Sequence, residues 1–144
     1  MVMNGRLQHL VSYADTDAGG VMYHARYLEL AERSRLVALH DCGWTASRLR
    51  RCHGLSLAVY RLQARFQKPV FLEQSLDVRT ELVRSGSALC TFRSRIESTL
   101  GLHALLEADL VAVGASGITR VPDVLLNALG GIGCSTSQTP EEMT

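Results

Sequence analysis

The sequence predicts an α+β domain in which one antiparallel sheet packs against one long helix. Three observations predict it. The stretch from Tyr27 to Leu39 repeats apolar residues at helical spacing. Four later stretches alternate apolar and polar residues with a period of two, and short turn signals join most of them. The 144 residues are 47% hydrophobic and 20% charged, which suits one core and is too short for two. Short turns make neighbouring strands antiparallel, and one helix laid on such a sheet is a two-layer domain.

Taken in order, Leu7 to Tyr13 reads as a first strand, with Leu7, His9 and Val11 alternating against Gln8, Leu10 and Ser12. Ala14 to Gly20 is small, polar and glycine-containing, and so a loop. In the helix, Tyr27, Leu30, Ala31, Ser34, Val37 and Ala38 share one stripe, while Leu28, Leu36 and Leu39 add a second. A helix apolar on two faces is expected to be covered on both. Asp41-Cys42-Gly43 ends it, with Gly43 in a left-handed cap, and Thr45 caps a short second helix to about Arg51. Residues 57–67 place Ala58, Tyr60, Leu62, Ala64 and Phe66 on one face of a strand that Pro69 interrupts. Strands over 76–83 and 90–97 flank the turn Ser85-Gly86-Ser87. After the turn Thr99-Leu100-Gly101, residues 102–113 put Leu102, Ala104, Leu106, Ala108, Leu110 and Ala112 on one face. The domain is expected to span residues 1–129. The small, polar stretch 130–144 is expected to be a disordered tail.

Composition narrows the function. Fifteen basic residues against fourteen acidic ones give a net charge of +1, which argues against a nucleic-acid binder. No apolar run approaches the ~20 residues that span a bilayer. The first ten residues carry Arg6 and Gln8 without an apolar core, so no secretory leader is expected there. Cys42, Cys52, Cys90 and Cys134 form no C-x-x-C pair. His40, Cys42, Cys52 and His53 lack the paired spacing of a structural zinc site, so reduced cysteines in a cytoplasmic setting, and no metal, are expected. No G-x-S-x-G elbow, P-loop or H-E-x-x-H motif occurs, and Gly131-Ile132-Gly133 has no strand before it.

The chemistry concentrates between Tyr13 and Tyr27. Two carboxylates, Asp15 and Asp17, stand before the glycine pair Gly19 and Gly20, with Tyr23 and His24 at the start of the helix. Glycines let a ligand approach backbone closely. Helix-start N–H groups polarise a carbonyl, and a carboxylate alongside serves as nucleophile or as general base on water. The same residues also suit a structural role, with either aspartate forming a turn or cap and His24 half-buried.

The pattern Tyr13-x-Asp15-Thr16-Asp17-x-Gly19-Gly20-Val21-x-Tyr23-His24-x-x-Tyr27, continued by Glu32 and Arg35, resembles the signature of the YbgC-like branch of the 4-hydroxybenzoyl-CoA thioesterase family. Tyr60 to Val70 resembles the family's second-strand segment, and Arg120-Val121-Pro122 with Leu125 its C-terminal stretch. The resemblance covers about residues 7–128 and implies the hotdog fold, an antiparallel sheet wrapped around one long central helix. It implies an acyl-CoA thioesterase acting on a coenzyme A thioester with a short-chain or aromatic acyl group, and needing no cofactor. Carried over by position, Asp17 is the catalytic carboxylate, with His24 and Tyr13 auxiliary. Gly19, Gly20 and Tyr23 line the substrate. Asp15 is structural, as are Glu29, Glu32 and Arg33. Arg65 and Lys68, with Arg61, Arg84 and Arg93, are candidates for coenzyme A phosphates or plain solvated strand residues. The resemblance further implies a homo-oligomer, dimer or tetramer, and contact with acyl carrier protein. The competing readings are a non-catalytic hotdog that binds acyl-CoA or acyl carrier protein beside cell-envelope or lipid-synthesis partners, and a hotdog dehydratase. An intact Asp17 favours the enzyme, and the D-T-D-x-G-G motif points away from the dehydratase.

Overall fold

A computed structural model describes residues 5–86 and 88–130. The stretch 131–144, and with it the expected tail and Cys134, lies outside the described residues, as does Ser87. Strand β1 (Arg6–Leu10) leads through a 3-10 turn (Tyr13–Asp15) to helix α1 (His24–Asp41) and helix α2 (Ala46–His53). Strands β2 (Ser56–Phe66), β3 (Ser75–Ser85), β4 (Cys90–Ser98) and β5 (Gly101–Gly114) follow, then the short β6 (Gly117–Thr119) and helix α3 (Asp123–Ala128).

All pairings are antiparallel, in the order β1-β3-β4-β5-β2, and β6 pairs with β5 beyond the point where β4 stops. Helix α1 lies across β1, β3, β4 and β5, which is the sheet-around-helix arrangement of the hotdog fold. The caps are those the sequence predicts: Gly43 has φ +83°, and the Thr45 hydroxyl accepts from the Arg48 N–H at 3.1 Å. Two expectations need correction. The first strand ends at Leu10, because Ser12 to Asp15 tightens into the 3-10 turn. Elements β6 and α3 were not expected; at three and six residues they carry too little periodicity to read.

The core falls into two halves along α1. Tyr27, Leu30 and Ala31 pack with Val70, Val78, Ile96 and Leu106 near the helix start. Ala38 and Leu39 pack with Leu49, Phe92, Leu110 and Leu125 near its end. Three buried hydroxyl residues stand between the halves, one each on α1, β3 and β4. Thr80 Oγ1 meets Ser94 Oγ at 2.6 Å, and Ser34 Oγ donates to the Gly5 carbonyl, which also accepts from the Thr80 N–H at 3.2 Å. Gly5 has φ +40°, and a Cβ there would meet the Thr80 carbonyl at 2.7 Å, so only glycine admits this contact. Every buried side-chain polar atom among the described residues has a partner.

The outer face of the sheet corrects two more expectations. Arg93 is not a phosphate ligand in waiting: its Nε and Nη2 donate to Glu107 at 3.0 and 2.7 Å, and Arg84 approaches the other oxygen at 3.3 Å. Cross-strand register, not strand alternation, sets this triad, since Arg93 stands opposite Glu107 in the β4–β5 pairing. Strand β2 differs from its expected alternation as well. A bulge at Val59–Arg61 shifts the register, and Tyr60, Leu62 and Phe66 are all exposed. Among the described residues no helix is long and apolar enough to cross a membrane.

Candidate active site

The loop after β1 is a small hairpin. Thr16 and Met22 form an antiparallel bridge, Asp17 donates its N–H to the Val21 carbonyl at 2.9 Å, and Gly20 donates to the Asp17 carbonyl at 3.0 Å. Gly20 closes the tip with φ +80°, in the left-handed region that disfavours other residues. The Met22 N–H donates to the Val70 carbonyl at 2.7 Å and docks the hairpin on the segment after Pro69. Asp17 sits exposed at this tip. Its Oδ1 accepts from the Gly19 N–H at 2.8 Å, and a Cβ at Gly19 would stand 3.2 Å from that oxygen. The other oxygen, Oδ2, has no protein donor among the described residues. It is the atom free to meet a ligand.

Asp15, two residues earlier, is buried, with 6% of its surface exposed. Its Oδ2 meets His9 Nε2 at 2.8 Å and accepts from the Ser12 N–H at 2.8 Å. Arg26 Nε lies 3.7 Å from Oδ1. Burial alone would raise this carboxyl; the Ser12 N–H and His9 outweigh it and hold Asp15 below the usual carboxylate value. The two aspartates thus divide between framework and open tip, as expected for Asp15.

Helix α1 begins at His24, so the N–H groups of His24 and Ala25 open the helix with no acceptor in a preceding turn, at the positive end of its dipole. The Tyr23 N–H is already used: it donates to the Asp15 carbonyl at 2.9 Å. A carbonyl-polarising N–H at this junction therefore belongs to the helix and not to Tyr23. The Tyr23 and His24 rings touch, with centroids 4.5 Å apart, and both residues are exposed. Tyr13 stands 82% exposed on the 3-10 turn. Tyr13, Asp17, Gly19, Gly20, Tyr23 and His24 thus share one hairpin–helix junction.

Arg65 and Lys68 lie apart from that junction in sequence, at and just beyond the end of β2. Phe66 packs edge-on against Tyr27 with centroids 5.0 Å apart, so this end of β2 lies over the first turn of α1. The Lys68 ammonium donates to the Leu100 carbonyl and so ties the β4–β5 turn. Sequence reasoning missed three residues around the site: His9, Arg26 and His103. His103 is buried, with Nδ1 3.1 Å from the Pro69 carbonyl and Nε2 2.6 Å from Ser98 Oγ. A carbonyl only accepts, so Nδ1 carries a proton and donates it to Pro69. Its alternation on β5 opposite the Ala104 face was the available signal. Burial pushes the Cys90 thiol up to about 12, which leaves it unreactive.

A cavity of about 350 Å³ lies toward the other end of α1, with Leu36 and Leu39 of α1, Leu49 of α2, Leu57 and Val59 of β2, and Leu110 of β5 in its walls. Glu32, Arg35 and Arg50 add charged groups to the same lining.

Comparison with known proteins gives a consistent picture. The model of the thioesterase-like superfamily matches residues 11–129. The chain is 30% identical over 118 residues to the acyl-CoA thioester hydrolase YbgC of Escherichia coli O157:H7, covering 80% of this chain and 84% of that protein. It is 37% identical over 86 residues to the acyl-CoA thioesterase YbgC of Haemophilus influenzae, covering 60% of this chain and 63% of the relative. Among solved structures, a probable thioesterase from Bartonella henselae superposes with a TM-score of 0.76 at 28% identity, over 83% of this chain and 99% of that one. A 1,4-dihydroxy-2-naphthoyl-CoA thioesterase from Synechocystis shares the fold, with a TM-score of 0.78 at 16% identity over 89% and 96% of the two chains.

Proposed function

The chain belongs to the thioesterase-like superfamily, and from that premise we propose that it hydrolyses acyl-CoA thioesters with Asp17 as its reacting carboxylate. The observation that carries the reading is the pairing of an open carboxylate oxygen on a glycine-tipped hairpin with the N-terminus of α1. The thioester carbonyl oxygen would accept from the His24 N–H, where the helix dipole favours the charge that develops on it. Asp17 Oδ2 then attacks the carbonyl carbon to give an acyl anhydride that water cleaves, or takes the proton of a water that attacks in its place. On either route the C–S bond breaks and coenzyme A leaves as its thiolate, which is stable enough to depart without strong acid catalysis. The products are a free acid and coenzyme A. Tyr13, Tyr23 and the His24 ring flank the reacting carbon, and Gly19 and Gly20 leave room for it. Arg65 and Lys68 are the cations that this reading assigns to the phosphates of coenzyme A, with Lys68 giving up the Leu100 carbonyl to do so. Acyl carrier protein presents the same thioester on its phosphopantetheine arm and is a second donor that this site would accept. The free thiols of Cys42, Cys52 and Cys90 suit a reducing, cytoplasmic setting.

The active form is a homo-oligomer built on β2. This eleven-residue strand ends the sheet, and its Val59, Tyr60, Leu62 and Phe66 are exposed. Long apolar edges of this kind are paired or covered in stable proteins. Antiparallel pairing with β2 of a second copy would run residues 56–59 past the partner copy's residues 63–66, the end that lies over the helix start. The cavity beside Leu57 and Val59 would then receive the acyl group held at the second copy's Asp17. Along α1 it is about 16 Å from its own helix start, at 1.5 Å per residue. Its volume is within the range of small-molecule pockets, and its leucines suit an aliphatic or aromatic acyl group.

A panel of short-chain, long-chain and aromatic acyl-CoAs, with the free thiol detected, tests the activity. At least one substrate is expected to turn over, and Asp17→Asn to lower kcat by about 10² to 10⁴-fold. The asparagine keeps an oxygen for the Gly19 N–H, so the melting temperature should hold. A variant with more than half the wild-type kcat would overturn the role of Asp17. Light scattering is expected to give twice or four times the 15.8 kDa chain mass. A stable monomer at micromolar concentration would overturn the shared edge.

A further inference from the structure

We propose that His9 and Arg26 are positioning residues that set the spacing between Asp17 and the start of α1, acting through the buried carboxylate of Asp15. This deepens the thioesterase reading and rests on it. Neither residue is a fixed position of the motif: His9 precedes it and Arg26 falls at a variable place within it.

The two groups assigned to the chemistry lie on different elements. Asp17 belongs to the hairpin tip and the His24 N–H to the helix, so beyond the Met22–Val70 bond that docks the far strand of the hairpin, their separation depends on the neck that joins them. Asp15 is that neck. Its backbone carbonyl accepts from the Tyr23 N–H at 2.9 Å, one residue before the helix, and the Thr16–Met22 bridge follows directly. Its side chain reaches the other way. His9 Nε2 ties it to β1 at 2.8 Å, and through β1 to the sheet, because His9 stands opposite Leu76 of β3. Arg26 ties it to the first turn of α1. Its Nε faces Asp15 Oδ1 at 3.7 Å, its Nη2 donates to the Ala14 carbonyl at 3.1 Å, and its Nη1 is held by Glu29 at 2.6 Å. One carboxylate thereby refers the hairpin to both the sheet and the helix.

The direction of these bonds matters more than their number. The charge-assisted bond from His9, and from Arg26 an ion contact with Oδ1 joined to its hydrogen bond on the Ala14 carbonyl, hold Asp15 along two different lines, so the loss of one arm leaves a rotation free, not the whole loop. A rotation of the neck moves Asp17 Oδ2 relative to the helix N–H. Misplacement by about 1 Å can cost about a hundredfold in rate, while contacts to the remote coenzyme A portion are unaffected. The signature of positioning is therefore a fall in kcat with KM retained.

The test compares His9→Leu, which removes the donor, with His9→Gln, whose amide N–H can reach Asp15, and adds Arg26→Leu. On the best acyl-CoA of the panel, His9→Leu and Arg26→Leu are expected to lower kcat at least tenfold with KM within twofold, and His9→Gln to recover most of the loss. Hydrogen exchange of the peptide spanning residues 13–24 reads the neck without any turnover, and should quicken at least tenfold in the two leucine variants but not in His9→Gln. Unchanged exchange and unchanged kcat in both leucine variants would overturn the proposal, as would equal damage by glutamine and leucine at position 9. Quickened exchange in a protein that cleaves no acyl-CoA would leave the neck in place and overturn the thioesterase reading instead.

Discussion

The two ends of α1 are built by opposite means. At its start, hydrogen bonds of fixed direction hold a hairpin: Asp15 gathers His9 and Ser12, with Arg26 in ion contact at 3.7 Å, and its carbonyl pins Tyr23. At its end, leucines and aromatic residues pack around Ala38 and Leu39 and leave a cavity of about 350 Å³ beside them. The difference suits the two tasks that the proposed reading gives these ends. A reacting carboxylate needs an orientation, which directional bonds supply. An acyl group needs space and an apolar wall, which packing supplies without specifying any angle. The hydroxyl belt of Ser34, Thr80 and Ser94 lies between the two regimes.

The comparison can be broken most severely at the packed end. Leu49 is 2% exposed and belongs both to the core and to the cavity wall. Leu49→Ala is expected to cost about 2 to 4 kcal/mol, read as a fall in melting temperature on the order of 10 °C. An unchanged melting temperature would mean that packing does not hold this end.

The wired end should respond less, and in a pH-dependent way. Asp15→Asn keeps the shape and removes the charge that His9 and Arg26 meet, for an expected loss of about 1 to 3 kcal/mol at neutral pH. Because its folded pKa is depressed, the Asp15 carboxylate contributes stability fully above the unfolded value of about 3.9 and loses it as pH falls through the folded value. Urea titrations of the two proteins should therefore converge in acid. A gap that widens below pH 4 would contradict the wiring.

The smallest effect is expected from ending the chain at Gly130. Leu125, Leu126 and Leu129, which belong to the packed end, are retained. Melting temperature, oligomer mass and thioesterase rate should all be retained. Dissociation on truncation would place residues beyond 130 in an interface.

Much of this was legible in advance, for local reasons. The two-residue period gave β3, β4 and β5, and Gly43 and Thr45 marked the gap between the helices, because periodicity and caps are written in neighbouring residues. The hairpin was legible as a glycine-bearing loop between Tyr13 and the helix. The pairing of Arg93 with Glu107 depends on cross-strand register, and that of His9 with Asp15 on a turn that tightens where the alternation runs on as strand. The bulge at Val59–Arg61 is a single displaced residue, enough to undo the expected face of β2. Thr80 and Ser94 fitted the inner-face alternation, but their meeting across two strands did not follow from it.

The proposed pairing through the edge strand β2 carries a consequence for rate laws. Where one copy supplies the carboxylate and the other the acyl pocket, competence arises only on encounter. Below the dissociation constant the concentration of working centres follows the square of the total chain concentration, so specific activity climbs with the amount of protein present. In that regime synthesis level would control activity: halving the supply of chain would remove more than half of the turnover, with no inhibitor and no change in any side chain.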